Sequence, residues 1–182
     1  MSDAPSFRIL AVCTANQCRS PLVEFALRRR FLARGLPWTA ASVGTRAVAG
    51  RPPHPSTVRL LRAHGDDLSG WSSTLLNGDA VGSADLILTA SVEHRNEIVR
   101  VQPDAAARTF LLRQLAAYCA AHPGGLVDAE RSGSDLTDWI SEARTTLPPA
   151  PGSMDLPDPS GRSYRTFRRL DAAVEEAVRL LV

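Results

Sequence analysis

A short stretch near the start of the sequence has the residue types and spacing of a phosphate-binding loop that carries a nucleophile. It runs from Cys13 to Ser20 as Cys-Thr-Ala-Asn-Gln-Cys-Arg-Ser, and Pro21 follows it. A loop between the end of a strand and the start of a helix points successive backbone N–H groups into one concavity, which favours an anion of phosphate size. The residues expected to bind phosphate there are Thr14, Ala15, Asn16, Gln17, Cys18 and Arg19.

The side chains of this loop suit a nucleophilic attack on phosphorus. The guanidinium of Arg19 is a planar fork that can bind two phosphate oxygens at once. The same positive field favours the thiolate of Cys13, which is the nucleophilic form of cysteine. Ser20 can donate a hydrogen bond to that thiolate and later to the leaving sulfur. We therefore expect Cys13, Arg19 and Ser20 to be catalytic residues.

The basic residues and the potential metal ligands exclude several kinds of chemistry. All 21 basic residues are arginine, so the chain has no lysine for a Schiff base or a Walker-type phosphate loop. A net charge of +2 is too small to predict nucleic-acid binding. The three cysteines and four histidines lack the spacing of zinc ligands, so we expect neither a metal site nor a cofactor. His64 and His94 are interpreted as surface or capping groups.

The order of apolar and polar residues predicts alternating strands and helices around this loop. Strands are predicted at residues 7–13, 38–43, 84–90 and 109–112. Helices are predicted at residues 21–34, 55–64 and 91–101, after the fourth strand to residue 121, and at 135–144 and 164–181. This alternation predicts an α/β fold, a doubly wound parallel sheet of about four strands with helices on both faces. The phosphate-binding loop follows the first strand.

The length and composition predict a single domain over residues 1–182. No apolar run approaches the ~18–20 residues of a membrane span, and the first residues lack the basic and apolar segments of a secretory signal. The small, odd number of cysteines argues against a disulfide framework. We therefore expect a cytoplasmic protein that does not contact a membrane.

The loop and four later segments resemble, in the same order, the low-molecular-weight protein tyrosine phosphatase family. Residues 13–21 follow that family's phosphate-binding pattern, Cys-x-Gly-Asn-x-Cys-Arg-Ser-Pro, with alanine in place of the glycine. The later segments are a strand end at residues 41–45, a turn at 65–69, a strand and helix start at 84–95, and the Asp-Pro pair at 158–159. The resemblance spans most of the chain and leaves residues 122–154 as an insertion before the Asp-Pro loop.

The resemblance implies a two-step hydrolysis of a phosphate monoester. Cys13 would attack phosphorus in line and form a phosphocysteine, while Arg19 and the loop amides stabilise the equatorial oxygens. Asp158 would protonate the leaving phenolate and then activate the water that releases phosphate. Asp155 is a second candidate for this acid, although proline does not follow it directly. The implied substrate is a phosphotyrosine-containing protein or another aryl phosphate.

Two residues are expected to support the loop, and three positions depart from the family pattern. Asn16 and Ser42 are the supporting pair. Ala15 replaces a glycine, Trp71 replaces a histidine that helps to orient the loop asparagine, and Ser160 replaces an aromatic residue after Asp-Pro. Because Trp71 stands in the histidine's place, the resemblance implies that Asn16 relies on Ser42 alone.

Two other functions are open alternatives. The three departures would suit a catalytically weak module that binds phosphate or phosphotyrosine, although Cys13, Arg19 and Asp158 argue for catalysis. An arsenate reductase would use the same loop, but it needs two further thiols, and only Cys119 lies downstream. Cys18 is interpreted either as a small residue at the helix start or as a redox partner of Cys13.

Overall fold

Four parallel strands form the centre of the fold, in the spatial order β2–β1–β3–β4. They are β1 (Phe7–Cys13), β2 (Trp38–Gly44), β3 (Leu86–Thr89) and β4 (Thr109–Leu111). This computed structural model describes residues 7–122, 126–127, 135–147 and 154–182. The sheet confirms the predicted α/β class with four parallel strands.

Helices connect the strands and cover the sheet. The described helices are α1 (Arg19–Arg34), α2 (Pro55–Ala63), α3 (Gly78–Gly82), α4 (Val92–Val101), α5 (Leu112–Ala121), α6 (Leu136–Thr146) and α7 (Tyr164–Leu181). A 3₁₀-helix spans Pro103–Arg108 before β4. Within the described part of the chain, no helix has both the length and the apolar character needed to cross a membrane.

β1 is buried on both faces because every side chain in it except Arg8 is apolar or small and faces a core. Ile9 and Ala11 pack into the larger core, which α1, α5 and α7 cover, whereas Leu10 and Val12 pack into a smaller core under α4. Burial on two faces is typical of a parallel strand and explains its continuous apolar sequence. The two cores confirm the prediction of helices on both faces.

The loop after β1 lies where the strand order reverses. β2 and β3 pair with opposite edges of β1, so their carboxyl ends flank the end of β1. Cys13 is the last residue of β1 and pairs with Gly44, the last residue of β2. Open α/β sheets bind ligands at such a reversal point, outside the carboxyl ends of the strands. The fold therefore positions the predicted phosphate loop where this sheet type binds ligands.

The first helix begins two residues earlier than predicted, and two short helices are not predicted. α1 begins at Arg19 rather than at Pro21, so Arg19 and Ser20 belong to its first turn. The N–H groups of a first turn have no partner within the helix and are available to an anion. The sequence pattern predicts neither α3 nor the 3₁₀-helix, because each is too short for a helical period to be visible.

The predicted insertion at residues 122–154 lies only partly within the described residues. The helix predicted at residues 135–144 is observed as α6, in which Ile140 is buried. Its N-cap is Asp135, whose side chain accepts the Thr137 N–H at 2.8 Å. Residues 123–125, 128–134 and 148–153 lie outside the described residues, so the insertion and the single domain stay predictions.

Candidate active site

Three carbonyl groups of the predicted phosphate-binding loop (residues 13–19) are paired with neighbouring segments. The carbonyls of Cys13, Thr14 and Gln17 accept the N–H groups of Thr45, Arg46 and His54 at 2.9, 2.8 and 3.0 Å respectively. A backbone whose carbonyls are paired outward leaves its N–H groups to line the concavity. These pairings are consistent with an anion-binding loop, and the binding of phosphate there stays a prediction.

Gly44 allows the end of β2 to approach this loop closely. A Cβ atom built at position 44 would lie 2.5 Å from the carbonyl oxygen of Thr14 and 2.7 Å from the backbone nitrogen of Asn16. These distances are shorter than non-bonded contacts allow, and the atoms involved are backbone rather than flexible side chain. Any larger residue at position 44 would therefore displace the loop.

Gly44→Ala is expected to lower the free energy of unfolding by about 1–3 kcal/mol, because overpacking forces the backbone to shift. It should also weaken the binding of inorganic phosphate, since the displaced atoms belong to the loop. Gly78→Ala is the matched control, because a Cβ at that first residue of α3 meets nothing within 4 Å. Urea unfolding and calorimetric binding of phosphate measure the two effects, and an equal response of both variants would contradict the close contact.

The one left-handed residue of the loop is Asn16, not Ala15. Asn16 has a φ of 54° and is the only non-glycine residue with a positive φ among those the structure describes. Asparagine tolerates this conformation better than most residues. Ala15 therefore replaces the glycine of the family pattern without a backbone penalty.

The side chain of Asn16 links three parts of the chain. Its Nδ2 donates to Ser42 Oγ at 2.7 Å and to Ser20 Oγ at 2.9 Å, and its Oδ1 accepts the Thr74 N–H at 2.8 Å. Asn16 is fully buried, so these bonds are shielded from water. The expectation that Asn16 relies on Ser42 alone is wrong, since Ser20 and Thr74 also hold it.

A buried carboxylate, which the sequence patterns do not predict, stands behind Ser42. Glu24 of α1 is 2% exposed, and its Oε2 accepts the Ser42 hydroxyl at 2.5 Å and the Trp71 indole N–H at 3.0 Å. Its Oε1 pairs with Arg28 at 2.5 Å. Burial raises the pKa of Glu24, although Arg28 and these hydrogen bonds oppose the shift. Trp71 is thus connected to the loop through Glu24 and Ser42.

Glu24→Leu is expected to lower the free energy of unfolding by about 2–3 kcal/mol, because Ser42 and Trp71 lose their buried acceptor. Glu24→Gln should stay within about 1 kcal/mol of the wild type, since its amide oxygen can still accept both bonds and only the Arg28 pair is lost. Urea unfolding measures the difference, and equal losses in the two variants would contradict the acceptor role.

The pH dependence gives a second readout for Glu24. A carboxyl whose pKa is raised on folding binds its proton more tightly in the native state, so stability falls as pH rises from the unfolded towards the folded pKa. The wild type should therefore lose stability relative to Glu24→Gln as pH rises above 4.5, the ordinary value for this group. A flat difference between the two proteins across this range would contradict the raised pKa.

The hydroxyl of Ser20 is positioned to donate to the predicted nucleophile. Cys13 is buried, and its Sγ lies 3.0 Å from Ser20 Oγ. The same hydroxyl lies 3.3 Å from the Val43 carbonyl, and it accepts a hydrogen bond from Asn16. Since the closer acceptor is the sulfur, which carries charge as a thiolate, Ser20 can stabilise the ionised nucleophile.

Cys18 differs from Cys13 in its surroundings. Burial, together with the charge of Cys13, raises the pKa of the Cys18 thiol to about 11. Cys18 is therefore a neutral thiol at neutral pH and a poor nucleophile. Both cysteines are free in this structure. Cys18 stands at the N-cap position of α1, where its side chain makes no capping hydrogen bond.

Arg19 brings the loop together with a residue 139 positions away in the sequence. Its Nη2 lies 3.2 Å from Asp158 Oδ2 and donates to Thr14 Oγ1 at 3.2 Å. Partial burial alone would raise the pKa of Asp158, but the Ser160 N–H and the Arg19 guanidinium together hold it below its usual value. Asp158 is therefore ionised at neutral pH in the resting protein, and the predicted phosphate ligand and the predicted acid are in contact.

The segment that carries Asp158 is attached to the start of α4. Asp155 Oδ1 accepts the Val92 N–H at 2.9 Å, and the Leu156 N–H donates to the Ala90 carbonyl at 2.8 Å. A carboxylate on a first-turn N–H is a favourable helix cap. Asp155 thus has an anchoring role, whereas Asp158 pairs with the predicted phosphate-binding arginine.

The sequence profile of a family described as low molecular weight phosphotyrosine protein phosphatase matches residues 8–136. This chain belongs to that family. The probable low molecular weight protein-tyrosine-phosphatase EpsP of Ralstonia nicotianae is 34% identical over 116 residues, which cover 63% of this chain and 77% of that protein. The low molecular weight protein-tyrosine-phosphatase Etp of Escherichia coli K12 is 32% identical over 107 residues, which cover 58% and 69% respectively.

Two solved phosphatase structures have the same fold. The phosphatase from T. tengcongensis superposes with a TM-score of 0.74 at 24% identity, covering 97% of each chain. The YwlE arginine phosphatase from Geobacillus stearothermophilus superposes with a TM-score of 0.70 at 24% identity, covering 96% of this chain and 90% of that chain. Membership of this family favours a phosphatase over the arsenate reductase and the binding module.

Two histidines have different places in this phosphatase fold. His64 is exposed at the C-terminal end of α2, as predicted, and contacts Asp171 at 3.0 Å. The interpretation of His94 as a surface group is wrong, whereas its contact with Ser91, the N-cap of α4, agrees with a capping group. His94 is 2% exposed, and its Nε2 lies 2.8 Å from Thr14 Oγ1 of the phosphate-binding loop.

One group of potential metal ligands occurs among the described residues. His64, Asp171 and Glu175 place their ligand atoms within 4.8 Å of one another between α2 and α7. Arg29 is already paired with Glu175 and with Asp66. A guanidinium on one of the three ligands disfavours a cation, so this group is better explained as an ion-pair network between helices.

Proposed function

We propose that this chain hydrolyses phosphotyrosine in proteins, or other aryl phosphate monoesters, through a phosphocysteine on Cys13. The observation that carries the proposal is the contact between Arg19 and Asp158. It joins the phosphate-binding loop to a carboxylate from a remote segment, which a purely phosphate-binding loop would not need. The family profile ends at residue 136, so this contact is the independent support for Asp158 as the acid.

In the first step, the Cys13 sulfur bonds to phosphorus as the P–O bond to the leaving group breaks. The loop amides and Arg19 stabilise the charge on the equatorial oxygens. The proton on the leaving oxygen comes from Asp158. An incoming phosphate competes for Arg19 and adds negative charge beside Asp158, and both effects raise the pKa of Asp158 from its resting value. Substrate binding thereby converts the carboxylate into a general acid.

In the second step, water attacks the phosphocysteine and releases inorganic phosphate. Asp158, now ionised, accepts a proton from this water. The S–P bond breaks, and the hydroxyl of Ser20, 3.0 Å from the sulfur, donates to the departing thiolate. Cys13 and Ser20 thus return to their starting state, and Asp158 releases its proton to solvent when phosphate leaves and the pairing with Arg19 re-forms.

We further propose that the chain acts in the cytoplasm. Its cysteines Cys13, Cys18 and Cys119 are free. A mechanism that depends on a thiolate needs a compartment that keeps thiols reduced. Phosphotyrosine-containing proteins of the same compartment are then its substrates.

The proposal is tested by the substrates that the protein hydrolyses and by the residue that becomes phosphorylated. We expect turnover of p-nitrophenyl phosphate and of a phosphotyrosine peptide, with much slower turnover of the matched phosphoserine peptide, whose alkoxide leaves poorly. Phosphoarginine belongs in the same panel, because arginine phosphatases share the fold. Rapid acid quenching and peptide mass spectrometry should find phosphate on Cys13. Preferred hydrolysis of phosphoarginine, or phosphate on another residue, would overturn the proposal.

A further inference from the structure

A buried histidine connects the phosphate-binding loop to the start of α4. His94 Nε2 lies 2.8 Å from Thr14 Oγ1, and His94 Nδ1 lies 2.6 Å from Ser91 Oγ. Ser91 is the N-cap of α4 and also accepts the backbone N–H of His94. Both ring nitrogens therefore have partners, and a rigid element holds the imidazole in place.

The surroundings of this imidazole keep it uncharged. Burial lowers the pKa of His94, and the nearby charge of Arg19 lowers it further, while Glu93, Glu97 and Asp155 oppose the shift. A neutral imidazole has one donor and one acceptor, and the hydroxyls of Thr14 and Ser91 can each act in either way. The ring thus orients Thr14 without adding a second cation beside Arg19.

Thr14 is the side chain through which His94 reaches the catalytic arginine. Arg19 is 7% exposed, and the contacts described for its Nη2 are Thr14 Oγ1 and Asp158 Oδ2, each at 3.2 Å. Asp158 must leave Arg19 when it turns to the leaving oxygen of the substrate. Of these two contacts, Thr14 then remains to hold Nη2, and its hydroxyl is itself held by His94.

We propose that His94 is a positioning residue for Arg19, acting through the hydroxyl of Thr14 to hold the guanidinium in its phosphate-binding orientation. This inference rests on the proposed function, in which Arg19 binds the phosphoryl group and Asp158 moves away from it. The same junction of β3 and α4 also anchors the acid loop (residues 155–160, which carry Asp158) through Asp155. The start of α4 therefore positions both the phosphate-binding arginine and the acid.

Two substitutions at position 94 separate the two contacts of the ring. An asparagine amide can reach the position of Nδ1 and keep the hydrogen bond to Ser91. A glutamine amide can reach the position of Nε2 and keep the hydrogen bond to Thr14. We expect His94→Asn to lower kcat/KM and to raise the inhibition constant of inorganic phosphate, each by about tenfold, the value of one hydrogen bond. His94→Gln should recover most of both losses, and the exposed His64→Asn is the matched control.

Thr14 gives an independent route to the same result, which holds even where a histidine variant fails to fold. Thr14→Val removes the hydroxyl and should match His94→Asn, and Thr14→Ser should restore most of the loss. Because the two residues act in one chain, the double variant Thr14→Val/His94→Asn should lose no more than either single variant. Multiplied losses in the double variant, or an unchanged phosphate inhibition constant, would overturn the inference.

A failure of the proposed function would be visible separately. If the wild type does not hydrolyse p-nitrophenyl phosphate, the proposed function fails. Calorimetric binding of inorganic phosphate then still tests the inference. Weaker phosphate binding in His94→Asn and Thr14→Val, but not in His64→Asn, supports the inference. Equal binding in the wild type and all three variants contradicts it.

Discussion

Cys13→Ser is expected to abolish hydrolysis of p-nitrophenyl phosphate, with kcat falling by roughly four orders of magnitude or more. A serine hydroxyl is not ionised at neutral pH, and Ser20, its nearest described partner, is a hydrogen-bond donor rather than a base. The phosphate site itself should stay intact, since the loop amides and Arg19 do not depend on the sulfur. Calorimetry should therefore find that Cys13→Ser still binds inorganic phosphate or vanadate.

Cys119→Ser is the matched control for this loss. Cys119 is buried in α5, and burial raises the pKa of its thiol to about 12, so it is a neutral core residue. Its replacement should lower the unfolding temperature while turnover for each folded molecule stays close to that of the wild type. Wild-type turnover in Cys13→Ser, or loss of phosphate binding together with turnover, would contradict the separate roles of sulfur and loop.

The parts of the fold that were predictable are those whose residues carry local signals. The apolar run of β1 and the apolar spacing of α7 predict both elements with their observed bounds. Gly35 ends α1 in the left-handed conformation, as a glycine at that position indicates. The strand order β2–β1–β3–β4 has no such local signal, because it depends on which strands pair across the whole chain.

The predictable part of the site is the part that lies within one loop. Cys13 and Arg19 are six positions apart, so their types and spacing already define a phosphate chemistry. Only the resemblance predicts a role for Asp158, since a contact across 139 positions cannot be deduced from spacing. The sequence does not predict Glu24 or His94 as part of the site, because a lone charged or polar residue on a helix usually faces solvent. Only the assembled fold shows that Glu24 contacts Ser42 and Trp71 and that His94 contacts Thr14.

Asp158→Asn is expected to lower kcat/KM for phenyl phosphate by roughly a hundredfold to a thousandfold, the usual contribution of a general acid. Asparagine keeps an oxygen for the Ser160 N–H, which contacts Oδ1 at 3.0 Å, so the acid loop should keep its conformation. The loss should be clearly smaller for p-nitrophenyl phosphate, because p-nitrophenolate leaves well without protonation. Steady-state rates on the two esters measure this difference.

Asp155→Asn is the control that separates proton transfer from loop anchoring. Its carboxylate accepts the Val92 N–H, whereas the carboxylate that pairs with Arg19 is that of Asp158. Any loss in Asp155→Asn should therefore be equal for both esters.

The pH profile gives a second distinction between the two aspartates. Because the resting pKa of Asp158 lies below its usual value, the acid must gain its proton as substrate binds, and wild-type kcat/KM should fall as pH rises. This limb should flatten in Asp158→Asn and persist in Asp155→Asn. Equal losses on the two esters in Asp158→Asn would mean that this carboxylate holds the loop without donating the proton.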